Sequence, residues 1–288
     1  MATQPPTLTA HDGLALALHR SRVDDPRAAC LLVHGYAEHA GRYKPLVQAL
    51  AGVGVETFAV DLRGHGRSAG PRADVVDFGD YVAEVAVLRR HIAEQRPGVP
   101  VLVFGHSMGG AVALRFALER PDALDALVLS APFLRPSLPP PRWLLGVSGW
   151  LARSLPQLPV QALDARALSR DPEAVEAYRK DPLTYTGRVK ARMGHALVTA
   201  GAPLLERAGE LRAPTLIVHG ADDDIADPRA SEELAGKLPA ALVTLRLYHG
   251  SYHELLNDLD RELVLADILG WIREQPGLGL TAPAAPGT

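Results

Sequence analysis

The stretch Gly105-His106-Ser107-Met108-Gly109-Gly110 lies between two segments of opposite character and decides how the rest of the chain is interpreted. Residues 101–104 before it are apolar and favour a strand, whereas residues 111–118 after it have the periodicity of a helix that Pro121 stops. A strand therefore turns sharply into a helix at Ser107. Glycines are needed on both sides of the serine because the strand and helix backbones come too close there for a β-carbon. The pattern predicts a strained, exposed serine at the carboxyl end of a strand.

The same spacing also has a simpler explanation. Glycine is abundant, with 26 residues, so Gly-x-Ser-x-Gly can arise by chance while the serine only caps a helix. The change from strand to helix favours a nucleophile instead. The other groups that a nucleophile requires must then be found elsewhere in the chain.

Length and composition restrict the class of protein. The chain has 288 residues, 47% of them hydrophobic, and a formal net charge of −3 with acidic and basic residues interspersed, so a large core is expected and no basic face for nucleic acid is evident. The single cysteine, Cys30, lies in an apolar run and indicates a packing residue. No secretory signal is recognisable at the start, and no apolar run approaches about 18 residues. These features predict a soluble, cytoplasmic protein that acts on small molecules.

Apolar strands and helices alternate in two blocks of the chain. The first two strand-like segments flank Asp12-Gly13, which predicts a β-hairpin at a sheet edge. The later strands are apolar throughout and are separated by helices, which is typical of a parallel sheet covered on both faces. We expect these strands at 29–34, 55–61, 99–105, 126–130, 215–219 and 242–248, and helices at 43–51, 75–94, 111–118, 229–237 and 260–273.

Residues 133–209 break the alternation. The segment opens with a proline-rich run and has helical patterns but no convincing strand. Because it follows the carboxyl end of a strand, we expect it to lie over the same sheet edge as Ser107, where ligands of open α/β sheets bind. Its apolar residues either line an acyl pocket or only pack the insertion onto the core. The predicted organisation is an α/β core over 1–132 and 210–275, a helical cap insertion over 133–209 and a disordered tail over 276–288.

A serine hydroxyl becomes a nucleophile when a base takes its proton, and that base is usually a histidine oriented by a carboxylate. In sheets of this kind, acid and base follow the serine, each on a loop after a strand. Four histidines follow Ser107. His253 is favoured because it lies in a loop after the last strand, from which it can reach back across the sheet edge, and His249 is the substitute.

The acidic loop 220–228 offers the carboxylate. Asp227 directly precedes a proline, which is typical of a helix N-cap. Spatial reach alone does not choose among Asp222, Asp223 and Asp224.

Acyl transfer also requires backbone N–H groups directed at the charge that develops on a carbonyl oxygen. Met108, the residue after the serine, is expected to supply one, and Tyr36 in the loop 34–39 after an earlier strand the other. The glycine-rich loop 61–68 lacks the lysine and the spacing of a phosphate-binding loop. We therefore interpret it as a structural loop beside the site.

Four segments in order resemble the α/β-hydrolase superfamily and, within it, the monoacylglycerol lipase and lysophospholipase group. The resemblance covers essentially the whole core and is weakest in the insertion. It implies that Asp223, thirty positions before His253, is the acid, that Tyr36 and Met108 supply the oxyanion N–H groups, and that the insertion is a mobile helical cap over an acyl tunnel. The segments are 34–43, 61–68, 105–110, and 220–227 followed by 248–253.

Residues and resemblance together predict an α/β-hydrolase fold and a serine hydrolase that cleaves carboxylic esters through an acyl-enzyme, with a monoacylglycerol as the favoured substrate. Ser107 would attack the carbonyl, His253 would shuttle the proton and Asp223 would orient the imidazole. Neither a metal nor an organic cofactor is required. A lysophospholipase, a general carboxylesterase, an acyltransferase and a non-enzymatic ligand receptor on the same fold are the alternatives. The expected partner is a small acyl ester and not nucleic acid; transient contact of the cap with a lipid surface, and the oligomeric state, are left open.

Overall fold

A central sheet organises the chain. The structure, a computed structural model, describes residues 5–138 and 140–280. Apolar, β-branched segments form strands that are buried from end to end at the centre of the sheet. The strands are β1 (Thr7–Thr9), β2 (Ala15–Ser21), β3 (Ala28–Val33), β4 (Val55–Val60), β5 (Val101–His106), β6 (Ala126–Ser130), β7 (Pro159–Gln161), β8 (Val189–Lys190), β9 (Thr215–Gly220) and β10 (Val243–Tyr248).

The main sheet has eight strands in the order β1-β2-β4-β3-β5-β6-β9-β10. Strands β1 and β2 form an antiparallel hairpin, β2 pairs antiparallel with β4, and the remaining neighbours are parallel. The predicted hairpin at the edge and the parallel sheet behind it are therefore confirmed. Since parallel strands share their carboxyl ends, the loops after β3, β5, β9 and β10 meet along one edge.

Helices cover both faces of the sheet. The helices α2 and α3 pack on one face and the helices α1 and α8 on the other, so that each face has its own apolar core. The second helix begins at Gly79 and not at Val75 as predicted, because Val75 is buried in the preceding loop and the Asp77 side chain accepts the Gly79 N–H at the helix start. The helices are α1 (Lys44–Ala51), α2 (Gly79–Gln95), α3 (Met108–Glu119), α4 (Arg142–Ser154), α5 (Pro172–Lys180), α6 (Ala191–Arg207), α7 (Pro228–Lys237) and α8 (Arg261–Glu274).

The chain leaves the sheet between β6 and β9. This part contains α4, α5 and α6, with α6 packed against both α3 and α4. The prediction that it contains no strand is wrong, because β7 and β8 form a small antiparallel pair. These strands have three and two residues, too few for an alternating pattern to be recognised. The boundaries at 133 and 209 stay a prediction.

The predicted disordered tail begins too early. Residues 276–278 form a 3₁₀ turn, and the side chains of Leu278 and Leu280 are buried in the core beneath α8. The prediction of disorder is therefore wrong for 276–280, because two leucines find apolar partners there. The rest of the predicted tail, 281–288, lies outside the described residues.

In the part of the chain that the structure describes, none of the helices combines the length and the apolar character that crossing a bilayer requires.

Candidate active site

A sharp turn between β5 and α3 presents Ser107. Its backbone has φ 53° and ψ −121°, a strained conformation for a residue with a β-carbon. A β-carbon at Gly105 would lie 2.4 Å from the Gly109 carbonyl oxygen, and one at Gly109 would lie 2.3 Å from the Val33 carbonyl oxygen. Both glycines are therefore required by close backbone approach, as the sequence predicts.

The loops after β9 and β10 bring a carboxylate and an imidazole to this serine. His253 Nε2 lies 2.8 Å from Ser107 Oγ, and His253 Nδ1 lies 2.6 Å from Asp223 Oδ2. All three side chains are buried. Because the carboxylate only accepts hydrogen bonds, His253 Nδ1–H is the donor to it, and Nε2 accepts the serine hydroxyl. The structure does not bring His249 to the site, since that residue is an exposed turn residue beyond the end of β10.

Asp223 is held from both sides of its carboxylate. Two backbone N–H groups of its own loop donate to Oδ1, at 2.8 and 3.0 Å. His219 Nε2 lies 3.1 Å from Oδ2, while His219 Nδ1 lies 2.7 Å from the Ser231 hydroxyl. His219 Nε2 also faces a carbonyl oxygen, so this nitrogen carries the proton and donates. No role was predicted for His219 from the sequence. Neighbouring Asp227 accepts the Arg229 N–H as the predicted N-cap of α7.

Burial and the ion pair set the charges of the site. Burial lowers the pKa of His253, but the charge of Asp223 and its hydrogen bond outweigh burial, so the pKa lies above its ordinary value. Burial raises the pKa of Asp223, and His253 more than offsets this, so the carboxyl stays ionised far below neutral pH. Burial lowers the pKa of His106 to about 4, so His106 is neutral beside the other imidazole.

The loop after β3 presents a peptide N–H close to the serine. His34 Nδ1 donates to the Gly35 carbonyl oxygen at 2.7 Å, since His34 Nε2 accepts a backbone N–H. In a trans peptide the Tyr36 N–H points opposite to that carbonyl. A β-carbon at Gly35 would lie 3.2 Å from Ser107 Cβ, so this peptide lies directly against the serine.

Tyr36 and Met108 both line the cavity that opens onto Ser107. Within residues 5–138 and 140–280, neither of their backbone N–H groups donates a hydrogen bond. Two unused donors on either side of a serine can stabilise an oxyanion.

A cavity of about 300 Å³ joins the serine to the surface. The insertion supplies most of its apolar wall, and the charged side chains that reach it are carboxylates: Glu38, Asp164 and Asp224. None of the described lining residues is a lysine or an arginine. The main apolar residues of the wall are Phe133, Leu138, Leu163, Leu168, Val189, Leu197 and Val198.

The loop 61–68 makes contacts inside the fold. The buried Asp61 carboxylate accepts the His19 imidazole and the backbone N–H groups of Ala40 and Arg67. No group of three or more His, Cys, Asp or Glu side chains among the described residues is arranged to hold a metal ion.

The chain is similar to known hydrolases over most of its length. Residues 24–260 match the family described as Serine aminopeptidase, S33. A monoacylglycerol lipase of Mycolicibacterium smegmatis is 39% identical over 248 residues, which cover 86% of this chain and 89% of the relative. The crystal structure of a Paleococcus ferrophilus monoacylglycerol lipase has a TM-score of 0.80 at 30% identity, covering 92% of this chain and 99% of that chain. A soluble variant of monoglyceride lipase from Saccharomyces cerevisiae, in complex with a substrate analog, has a TM-score of 0.80 at 25% identity, covering 96% of this chain and 97% of that chain.

Proposed function

Because the chain belongs to the serine aminopeptidase S33 family of α/β-hydrolases and is a serine ester hydrolase, we propose that its substrates are monoacylglycerols. The apolar cavity that ends at Ser107 carries the proposal. Beside the serine lie the imidazole of His253 and two N–H groups that donate to no described residue. Two similar proteins are named monoacylglycerol lipases, which supports the same substrate class.

The proposed reaction proceeds in two halves. Ser107 Oγ attacks the ester carbonyl while His253 Nε2 takes its proton, and the N–H groups of Tyr36 and Met108 hold the resulting oxyanion. When the intermediate collapses, the C–O bond to glycerol breaks and His253 gives the proton to the leaving glycerol oxygen. Water then attacks the acyl-enzyme while His253 takes its proton; the C–O bond to Ser107 breaks, His253 returns the proton to Ser107 Oγ, and the fatty acid leaves. Asp223 keeps the imidazole in the tautomer that accepts at Nε2.

The charges of the cavity favour a neutral head group over a phosphate. A buried phosphate requires cationic or N–H partners, but the two unused N–H groups of the cavity are taken up by the ester carbonyl and its charged side chains are carboxylates. The alternative of a lysophospholipase is therefore disfavoured, whereas glycerol hydroxyls can donate hydrogen bonds to carboxylates.

A panel of esters with one acyl chain tests this proposal. Kinetics with 1-decanoylglycerol, decanoyl lysophosphatidylglycerol and p-nitrophenyl decanoate, together with an aminoacyl p-nitroanilide as a peptidase substrate, separate the candidate activities. An unmatched phosphate costs about 3 kcal/mol, so kcat/KM for the glycerol ester should exceed that for the lysophospholipid by about 100-fold. Equal values, or cleavage of the p-nitroanilide alone, would overturn the proposal.

Two neighbouring aspartates provide a matched pair for the head-group argument. Both side chains are exposed, but Asp224 lines the cavity and Asp222 does not. Asp224→Asn should lower the ratio of kcat/KM for the glycerol ester to kcat/KM for the lysophospholipid several-fold, and Asp222→Asn should leave this ratio unchanged. The same ratio in both variants would show that rim charge does not select the head group.

We further propose that the insertion, residues 133–209, is a cap that receives the substrate from a lipid surface. Trp143, Val147 and Trp150 are spaced to lie on one face of α4, and all three are exposed. Leu138 and Leu163 are exposed and also line the cavity. Exposed apolar side chains at the cavity and on a helix of the same insertion support contact with lipid.

The cytoplasmic location stays a prediction.

A further inference from the structure

A buried cation joins two loops of the site. Arg42 donates from Nη1 to Glu38 Oε2 at 2.8 Å and, as a fork, to the two carboxylate oxygens of Glu254 at 2.5 and 2.7 Å. The side chains of Arg42, Glu38 and Glu254 are 10%, 4% and 6% exposed. The three groups form a carboxylate-guanidinium-carboxylate bridge that is shielded from water.

One end of this bridge holds the loop that carries the Tyr36 N–H. Glu38 Oε1 accepts the Gly35 N–H at 2.6 Å and the Tyr43 hydroxyl at 2.5 Å. The Gly35 N–H is one bond from the α-carbon that lies against Ser107. A shift of Glu38 would therefore shift the Gly35–Tyr36 peptide relative to the serine.

The other end adjoins the imidazole. Glu254 directly follows His253, and its carboxylate also accepts the Asn257 side-chain amide at 3.0 Å. The Glu254 backbone N–H donates to the Leu168 carbonyl oxygen at 2.7 Å, so the insertion fixes the same residue. The position of His253 is thereby linked to that of Glu254.

The charges of the two carboxylates explain why the bridge contains a cation between them. Two buried carboxylates repel each other unless a cation lies between them. Burial alone would raise the pKa of Glu38, but the charge of Arg42 outweighs burial and the pKa falls to about 2, so this carboxylate is ionised when Arg42 contacts it. Loss of charge at either end changes the contacts that Arg42 makes with the other end.

We propose that Glu254 is a positioning residue, which through Arg42 and Glu38 fixes the oxyanion loop 34–39 relative to His253 and Ser107. This rests on the roles assigned under the proposed function. Removal of one end lets the loop shift, and a misplacement of about 1 Å in such a site costs up to about 100-fold in rate. The loss falls on the oxyanion, which forms only in the transition state, so kcat falls while KM does not.

The test compares Glu254→Gln with Glu56→Gln on p-nitrophenyl butyrate. Glu56 is a matched control because it is fully buried between two arginines, Arg20 at 2.5 Å and Arg96 at 2.6 Å, at the opposite end of a strand from the site. Glu254→Gln should lower kcat by about 10- to 100-fold and leave KM within about twofold, at a temperature where circular dichroism shows a folded protein. Glu56→Gln should lower the melting temperature without changing kcat.

The affinity for a transition-state analogue distinguishes a positioning role of Glu254 from a role in stability alone. A trifluoromethyl ketone forms an oxyanion on the serine, so its affinity for Glu254→Gln should fall by the same factor as kcat. Unchanged kcat, or unchanged affinity for the ketone, would overturn the positioning role.

A double-mutant cycle tests whether the effect passes through the bridge. If it does, Glu38→Gln combined with Glu254→Gln should lose little more rate than Glu38→Gln alone, whereas independent losses would multiply and contradict the proposal. The chromogenic ester is cleaved by any serine esterase, so this result does not depend on the natural substrate. Failure of the proposed function would instead appear as absent hydrolysis of monoacylglycerols by the unchanged protein.

Discussion

At the scale of single residues, backbone strain and close contacts determine the site. The positive φ at Ser107 costs about 1–3 kcal/mol, and the contacts of the flanking glycines hold the chain in that conformation. The strain keeps the hydroxyl at the edge of the sheet, where the imidazole of His253 reaches it. The strain at Ser107 thus lowers stability but places the hydroxyl where it can act as a nucleophile.

The pKa of His253 predicts a pH dependence. His253 acts as a base only when neutral, and its pKa lies above the ordinary value, so kcat/KM should fall as pH decreases through a midpoint above about 6.5. Asp223→Asn removes the charge that raises this pKa and leaves burial, which lowers it. The residual activity of this variant should therefore have its midpoint at lower pH. Rate measurements from pH 5 to 9 test both statements, and an unmoved midpoint would contradict the assigned pair.

The sequence predicted the individual groups better than their supporting contacts. Loop placement after strands selected His253, and the family pattern selected Asp223, because parallel topology brings such loops to one edge. The contact of His219 with Asp223 and the fork between Arg42 and Glu254 join residues by side-chain geometry. No spacing rule reports such contacts. The local signs were the adjacency of Glu254 to His253 and the presence of Glu38 and Arg42 in the segment 34–43.

At the scale of elements, one glycine fixes how closely α6 approaches the backbone at Leu134, just after β6. A β-carbon at Gly201 would lie 1.7 Å from the Leu134 carbonyl oxygen. Gly201→Ala should therefore push α6 from its place and lower the free energy of unfolding by about 1–3 kcal/mol, measured by urea denaturation.

Gly270 is the matched control, because it lies inside α8 with nothing within 4 Å of a β-carbon. Gly270→Ala should stabilise the protein by about 0.5–1 kcal/mol, since alanine has the higher helix propensity. Equal effects of the two substitutions would show that close packing does not determine the role of Gly201.

The bounds of long helices and strands with a regular apolar pattern were predicted to within a few residues. The strand β6 has the predicted bounds, and α8 is displaced by one residue at each end. The pair β7 and β8 was missed because such short strands depend on tertiary contacts and not on an alternating pattern. The apolar residues of 276–280 were missed because burial of two single leucines leaves no periodicity.

At the scale of the whole molecule, the exposed apolar residues cluster on the insertion. Trp143 and Trp150 are 70% and 59% exposed on α4. Trp143→Ser with Trp150→Ser should reduce co-sedimentation with phosphatidylcholine vesicles and slow hydrolysis of monoacylglycerol held in them. Hydrolysis of a water-soluble ester should not change, because the substituted side chains do not line the cavity.

A second exposed apolar pair is the control for this surface. Leu259 and Leu263 are 59% and 58% exposed near the start of α8. Leu259→Ser with Leu263→Ser should leave vesicle binding unchanged. Equal loss of binding in both double variants would mean that the α4 face is not a specific lipid-contact surface.

The core and the insertion differ in how far sequence determines them. Parallel strands and covering helices follow from apolar patterns that many chains share, so the core was predictable. The insertion has short elements whose packing depends on contacts with the core, such as α6 against α3. The resemblance was weakest there, and the cavity wall beside Ser107 comes mostly from this part.

The central claim is that Ser107 is the nucleophile of a monoacylglycerol hydrolase, and the most direct test is steady-state hydrolysis of 1-decanoylglycerol by Ser107→Ala. Alanine keeps the β-carbon and adds no volume, so the fold and the melting temperature should not change. We expect kcat to fall by about 10⁴-fold or more, with loss of labelling by a fluorophosphonate. Turnover of the glycerol ester at a rate near that of the unchanged protein would contradict the account.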